Sequence, residues 1–218
     1  PVSDTTYMPN QRVTIPWLPY SFRIAGSGSD RPNVGNVFYV DSVTGADQTE
    51  RGTLALPFAS LNYAITRATP DNGDVIYGLP GHIETINAAA AMAVAAAQTG
   101  VKCVGLGMGR DRATIRWTTV VGADLDINAR DFWLENFVLD MTQFDAITAA
   151  IDANAAGFVL LDCEVLMADA TEQAVSIITT DANSSRMRVW RNTFIGTNNA
   201  GLNQAILIAG TPDDIEIA

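Results

Sequence analysis

Lysine is almost missing from this chain. Lys102 stands alone beside twelve arginines, and these 13 basic residues face 24 acidic ones, for a formal net charge of -11. Such a surface lacks the basic patches that neutralise phosphates, which excludes nucleic acid as an expected partner. Histidine is as scarce: His82 is the single copy. One histidine and two cysteines, Cys103 and Cys163, give no standard zinc spacing. Two cysteines are also too few for a disulfide framework, so they are expected as buried thiols acting like small apolar side chains. No apolar run approaches the roughly 18 residues of a membrane span. The polar, proline-rich first residues do not read as a signal peptide, and the expectation is a chain made and used without secretion. Charge is sparse at 17% while hydrophobic residues reach 48%, which excludes disorder and supplies a sizeable core.

What is abundant is repetition. Phe132-Trp-Leu-Glu-Asn-Phe-Val-Leu139, Phe158-Val-Leu-Leu-Asp-Cys-Glu-Val165 and Met187-Arg-Val-Trp-Arg-Asn-Thr-Phe194 are each a short alternating run, a turn residue and a second short run. Val101-Lys-Cys-Val-Gly-Leu106 is a fourth copy, with Gly105 in the place of Asn136, Asp162 and Asn192. The steps between these turn residues are 31, 26 and 30. Third strands are expected at 124–127, 150–152, 175–178 and 205–208, with Leu125, Ile151, Ile177 and Leu207 stacked at steps of 26, 26 and 30. Strand repeats of this length describe a solenoid in which each coil buries its apolar side chains on the next. The expected fold is therefore all-β: a short right-handed parallel β-helix of about five coils, with a capping α-helix and an extended N-terminal arm.

The arm is residues 1–36 and the β-helix residues 37–218. Pro1, Pro9, Pro16, Pro19 and Pro32 forbid a regular helix in the arm. Yet this stretch carries an apolar load a linker would not need. Tyr7, Arg12, Ile15, Trp17, Leu18, Tyr20 and Phe22 are the expected contacts with a partner surface or across a trimer. Ala25-Gly-Ser-Gly-Ser-Asp30 reads as a hinge. Val37 to Asp41 is an expected strand. Phe58, Leu61, Ile65 and Ala68 then fall on one face of an amphipathic helix near 58–69, started by Ser60 or Pro57. Val75 to Leu79 is the next strand. Ala88 to Ala97, with eight alanines in ten residues, is read as an irregular coil segment. Asp214 to Ile217 reads as a last strand with no cap after it, an end expected to be covered by another subunit.

Candidate chemistry is thin. His82 follows a strand without a nucleophile or an orienting partner in its context and is expected to have a structural or turn role. Asp124 and Asp126 share one strand face, and Asp140, Asp152, Asp162 and Glu164 come from neighbouring coils. Adjacent rungs could hold two carboxyls at the roughly 5–9 Å that glycoside hydrolysis needs, although solvated outer-face positions account for them equally. Lys102 is the one candidate lysine base. Arg110, Arg112 and Arg116 form a basic cluster, expected in salt bridges rather than on an anionic sugar. Asp41, Asp47 and Glu50 around Gly45 offer oxygen ligands for calcium, but turn and cap roles are favoured. No catalytic residue, cofactor or metal site is assigned.

The run Val37-Phe-Tyr-Val-Asp-Ser-Val-Thr-Gly-Ala-Asp47, then Pro57-Phe-Ala-Ser-Leu61, then Gly73-Asp-Val-Ile-Tyr-Gly-Leu-Pro-Gly81 resembles the opening of pectate-lyase-like right-handed β-helix proteins. Gly73 to Ile86 followed by Val104-Gly-Leu-Gly-Met-Gly-Arg110 is similar to the β-helix proteins of tailed bacteriophages. The resemblance covers about residues 37–217. It implies a virion protein assembled in the host cytoplasm, either a head decoration (cement) protein or a tailspike, and commonly a homotrimer. Its implied partners are further copies of itself and the phage major capsid protein, with glycans as a weaker ligand class. The acid clusters of the fold's enzymes cannot be matched here residue by residue, and the solenoid is short. Capsid decoration is therefore the expected function, with a polysaccharide-cleaving tailspike as the alternative.

Overall fold

A computed structural model describes residues 35–118, 122–143, 147–168, 174–196 and 204–218. The chain divides into Pro1–Val34 and Gly35–Ala218. The expected arm, with Tyr7, Arg12, Ile15, Trp17, Leu18, Tyr20 and Phe22, lies outside the described residues.

The second unit starts with β1 (Val37–Val40) and α1 (Leu61–Arg67). Strand triplets follow: β2 (Val75–Gly78), β3 (Ile83–Ile86) and β4 (Met92–Val94); β5 (Lys102–Gly105), β6 (Thr114–Trp117) and β7 (Leu125–Ile127); β8 (Trp133–Glu135), β9 (Val138–Asp140) and β10 (Ile147–Ala153). Two more triplets are β11 (Val159–Leu161), β12 (Glu164–Leu166) and β13 (Ala174–Thr180), then β14 (Arg188–Trp190), β15 (Thr193–Ile195) and β16 (Gln204–Leu207). β17 (Glu216–Ile217) closes the chain. The first strand of each triplet joins a seven-stranded sheet A running β1-β2-β5-β8-β11-β14-β17; the second and third strands form five-stranded sheets B and C. All pairing is parallel. This is a short parallel β-helix, as the repeats predict.

Inward side chains stack rung on rung. In sheet A, Ile76, Cys103, Leu134, Leu160 and Val189 lie in register and are buried. In sheet B, Ile115, Leu139 and Val165 do the same. Each fully buried aliphatic side chain contributes about 1.5–3 kcal/mol, so the ladders hold the coils together. Trp117, the largest fully buried side chain, donates its indole N–H to the Ala150 carbonyl at 3.1 Å. Both cysteines are free and buried; burial pushes the Cys163 thiol up to about 12.

The register corrects four details. The corner between sheets A and B needs one left-handed residue, and Asn136 (φ 59°), Asp162 (φ 53°) and Arg191 (φ 52°) supply it. Asn192 does not. Its side chain accepts the Cys163 N–H at 2.8 Å and donates to the Leu160 carbonyl at 3.0 Å, tying two rungs together. Gly105 is glycine for a different reason: a Cβ there would meet the Asn136 carbonyl oxygen at 2.5 Å. The sheet C ladder runs Leu125, Ile151, Ile178 and Ile206, one residue away from the expected Ile177 and Leu207. In the seven-residue strands β10 and β13 the neighbours Ala150 and Ile151, and Ile177 and Ile178, are all buried. Alternation fails there, so counting along the sequence loses phase.

The helix is shorter than the expected 58–69. Phe58 bridges Val40 in parallel pairing and keeps the preceding segment extended. Ser60 is the N-cap, its hydroxyl accepting from Tyr63 N–H at 3.1 Å, the usual role of serine there. Phe58, Leu61, Ile65 and Ala68 are all buried, as their spacing predicts. The alanine-rich stretch is less irregular than expected, because Met92 to Val94 pair with Leu125 to Ile127 as β4.

Candidate functional site

The acids singled out in the sequence separate onto three parts of the surface. Asp124, Asp126 and Asp152 gather on the outer face of sheet C, where Asp126 and Asp152 occupy adjacent rungs, about 4.8 Å apart along the backbone. Asp140 sits on sheet B, Glu164 one rung further along that sheet, and Asp162 at the corner between sheets A and B.

Their partners are mostly internal. Asp140 takes the Arg116 Nε–H at 2.8 Å and the Thr142 N–H at 3.0 Å. Burial pulls its carboxyl upward, but Thr142 and the Arg116 guanidinium outweigh that, and the carboxyl ends below its ordinary value. Asp162 takes Arg191 Nε–H at 2.8 Å and Nη2–H at 2.7 Å, a two-pronged pair. Glu164 lies 3.6 Å from Arg112. Two arginines of the basic cluster are thus committed to acids of other coils, Arg116 to the next rung and Arg112 to the one beyond it. Lys102 is also paired, 2.5 Å from Glu135, with its ammonium 4.8 Å from the Trp133 ring centre.

The sheet C group is different in kind, since no basic side chain is paired with it among the described residues. Asp126 accepts from Asn128 at 2.9 Å and from Asn154 on the next rung at 2.7 Å. Asp152 accepts the Thr179 hydroxyl, and Asp124 accepts the Ala90 N–H. Burial first, then the charges of Asp152 and Asp126, raise the Asp124 carboxyl above its ordinary value despite the Ala90 N–H. Its surroundings thus favour the protonated form more than water does.

The loop whose acids offered oxygen ligands for calcium forms turns and caps, the roles favoured for it. Asp41 accepts the Val43 N–H at 2.9 Å and the Thr44 hydroxyl at 2.5 Å. Asp47 accepts Ala59 N–H at 2.8 Å and both N–H and hydroxyl of Ser60, at 3.1 and 2.8 Å. Glu50 pairs with the Thr49 hydroxyl at 2.8 Å. Among the described residues no three His, Cys, Asp or Glu side chains are arranged to hold a metal ion, and no helix is long and apolar enough to cross a membrane.

Two buried carboxylates escaped the reading of the sequence. Glu84 points into the solenoid at the rung above Ile115, and its carboxylate accepts the Leu61 N–H at 2.7 Å. His82, fully buried, places Nε2 3.4 Å from the same carboxylate, and among the described residues neither ring nitrogen has a hydrogen-bond partner. Asp74 accepts Asn36 N–H at 2.6 Å, Asn72 at 2.7 Å and Thr69 N–H at 2.7 Å. The cap is therefore fastened on both sides of α1. The available signal was Glu84 two residues before Ile86, in phase with an inward side chain.

These features define a parallel β-helix protein whose conspicuous outer chemistry is an acid-amide ladder. No family model matches the chain, and no curated protein matches it. Among solved structures, a rhamnogalacturonan lyase is similar at 13% identity and a TM-score of 0.36, over 81% of this chain and 62% of that one. The chain thus spans less than two thirds of that structure's length. The fold assignment stands on the strand register; so distant a likeness carries no argument about chemistry.

Proposed function

We propose that the chain is a non-enzymatic virion structural protein, a capsid decoration or cement protein that stabilises a phage head shell through its arm and β-helix, as a homotrimer. The observation that supports this reading is the use to which the outer-face acids are put. Asp140 and Glu164 stand on sheet B and Asp162 at the corner between sheets A and B, each tied to an arginine of another coil. Such pairs join coils and engage these acids within the protein itself. The phage setting comes from the resemblance of residues 73–86 and 104–110 to phage β-helix proteins.

Deleting residues 1–24 tests it. The truncated protein is expected to keep the far-ultraviolet spectrum and melting transition of the full chain while losing capsid binding in co-sedimentation. Full-affinity binding by the truncated protein refutes attachment through the arm.

A second reading, a polysaccharide-cleaving tailspike, has the raised Asp124 carboxyl beside Asp126 and Asp152 in its favour. It predicts new reducing ends or unsaturated products on incubation with host polysaccharides, lost in Asp124→Asn and in Asp126→Asn. Glycan affinity without turnover would instead mark a passive carbohydrate-binding surface.

A further inference from the structure

Asn72 is the one asparagine in the chain that precedes a glycine. The pair lies in the turn Asp71-Asn72-Gly73-Asp74 between α1 and β2, with Asn72 half-buried and Asp71 and Gly73 exposed. An asparagine side chain closes on the main chain when the nitrogen of the next residue attacks its amide carbon. Two things ordinarily oppose this: a side chain on the next residue crowds the attack, and a hydrogen bond holds that N–H in the fold. Gly73 has no side chain and sits in the left-handed region at φ 70°. Its N–H has no acceptor among the described residues. Asn183 and Asn192 are placed differently. The N–H groups that follow them, of Ser184 and Thr193, donate to the Asp181 carbonyl at 3.4 Å and the Cys163 carbonyl at 2.9 Å, and Ser184 is fully buried.

The Asn72 amide also holds part of the structure together. Its Nδ2 donates to Asp74 Oδ1 at 2.7 Å. Asp74 is fully buried, and its carboxylate collects three further donors: Asn36 N–H at 2.6 Å, the Asn36 side chain at 3.2 Å and Thr69 N–H at 2.7 Å. One carboxylate thus joins the residues entering β1 to the chain leaving α1. Gly35 closes it in, since a Cβ there would lie 2.3 Å from Asp74 Oδ1. A carboxylate at position 72 would offer no proton to Asp74 and would set a second negative charge against a buried one.

We infer that Asn72 is a site of spontaneous deamidation, and that its conversion loosens the Asp74 cluster that fastens the cap. Gly73 N gives up its proton to solvent base and bonds to Asn72 Cγ. The Cγ–Nδ2 bond breaks, and the nitrogen takes up a proton and leaves as ammonia. Water then opens the succinimide ring at one of its two carbonyls, leaving either aspartate at 72 or the isomer whose main chain runs through the side-chain carbons. Water is the only co-reactant. Both products lose the donor to Asp74 and gain a negative charge, and the isomer also lengthens the turn by one main-chain atom. The inference stands apart from the virion reading.

Warm incubation of the full chain at mildly alkaline pH tests it, with peptide mass spectrometry and isoaspartate detection as the readout. Asn72 is expected to convert about tenfold faster than Asn183, a barrier lower by about 1.4 kcal/mol. The aged protein is expected to melt at a lower temperature than fresh protein at neutral pH, and Asn72→Asp to melt lower without ageing. Asn72→Ser, which cannot cyclise, is expected to hold its melting temperature through the same incubation. Conversion at Asn72 no faster than at Asn183 overturns the site. Conversion without a change in melting, an Asn72→Asp protein that melts like wild type, or an equal loss in aged Asn72→Ser overturns the link to the Asp74 cluster.

Discussion

The Glu84 carboxylate accepts the Leu61 N–H at 2.7 Å from within the solenoid, so the cap helix is bound at its first residue by a side chain of the coil beneath it. The position is otherwise an aliphatic one: Ile115 occupies the same inward place on the next rung. A carboxylate here loses hydration, which is tolerable because it meets main-chain donors that would otherwise be orphaned at the helix start. Replacing Glu84 with Leu restores the ladder but leaves the Leu61 N–H buried without an acceptor. The expected loss is about 2 kcal/mol in urea denaturation, within the range for hydrogen bonds to charged groups. Glu84→Gln, which keeps an acceptor, is expected to lose less. If Glu84→Leu is as stable as wild type, the carboxylate is not what fastens the cap.

Asp74 does the same work on the other side of α1, and its pH signature is distinct. Burial raises its carboxyl, but the Thr69 N–H, the Asn36 side chain and N–H, and Asn72 together bring it below its ordinary value. A carboxyl lowered in the folded state stabilises the protein fully above its unfolded pKa and loses that contribution as the pH falls through the folded one. Wild type is therefore expected to lose stability as the pH drops below about 4, and Asp74→Asn to flatten that part of the curve. Asp41 and Asp140 are lowered too, so the acid limb is expected to shrink rather than vanish. Melting temperatures from pH 2 to pH 7 measure it.

How far the sequence could be read depends on what each residue answers to. Ser60, Phe58, Leu61, Ile65 and Ala68 answer to local spacing, and their cap and buried face were legible from it. The strands of sheet A, and β9, β12 and β15 of sheet B, were legible from the repeated runs on either side of a turn residue, whereas β3 and β6 were not read as strands. Ile177 and Leu207 were misplaced because β10 and β13 bury consecutive residues, so phase there depends on the coils above and below. Asn192 resembled a turn residue by type, yet the left-handed position fell to Arg191, a choice that only strand register reveals. Glu84 and Asp74 answer to a helix that lies far from them in sequence. The separation of the acids onto three surfaces was equally out of reach, since it follows from coil length and corner position.

Gly105 gives a sharp test of that register. Its backbone needs no left-handed conformation, yet a Cβ would lie 2.5 Å from the Asn136 carbonyl oxygen and 3.3 Å from the Phe137 ring. Gly105→Ala is expected to destabilise by about 1–3 kcal/mol, the range for overpacking a filled interior, despite the better strand propensity of alanine. Asn136→Gly removes a side chain that donates to the Gly105 carbonyl at 2.6 Å but suits the left-handed backbone, so a smaller loss is expected. Equal losses at the two positions would contradict the close approach.

Asp124 carries the opposite sign from Asp74. Its carboxyl is raised by burial and by the Asp152 and Asp126 charges, so the folded state holds that proton more tightly than the unfolded chain does. Its stabilising contribution is complete below the unfolded pKa and is lost as the pH rises through the folded one. At neutral pH the ionised group strains against its acidic neighbours, and Asp124→Asn is expected to raise the melting temperature there. At pH 3, where the acid is already protonated, the same substitution is expected to have little effect. An Asp124→Asn protein stabilised equally at both pH values would show that removing a neighbour's repulsion is not the cause. A chain that spends stability at neutral pH to keep three carboxyls together on sheet C would, if Asp124→Asn also abolished polysaccharide cleavage, owe that arrangement to catalysis.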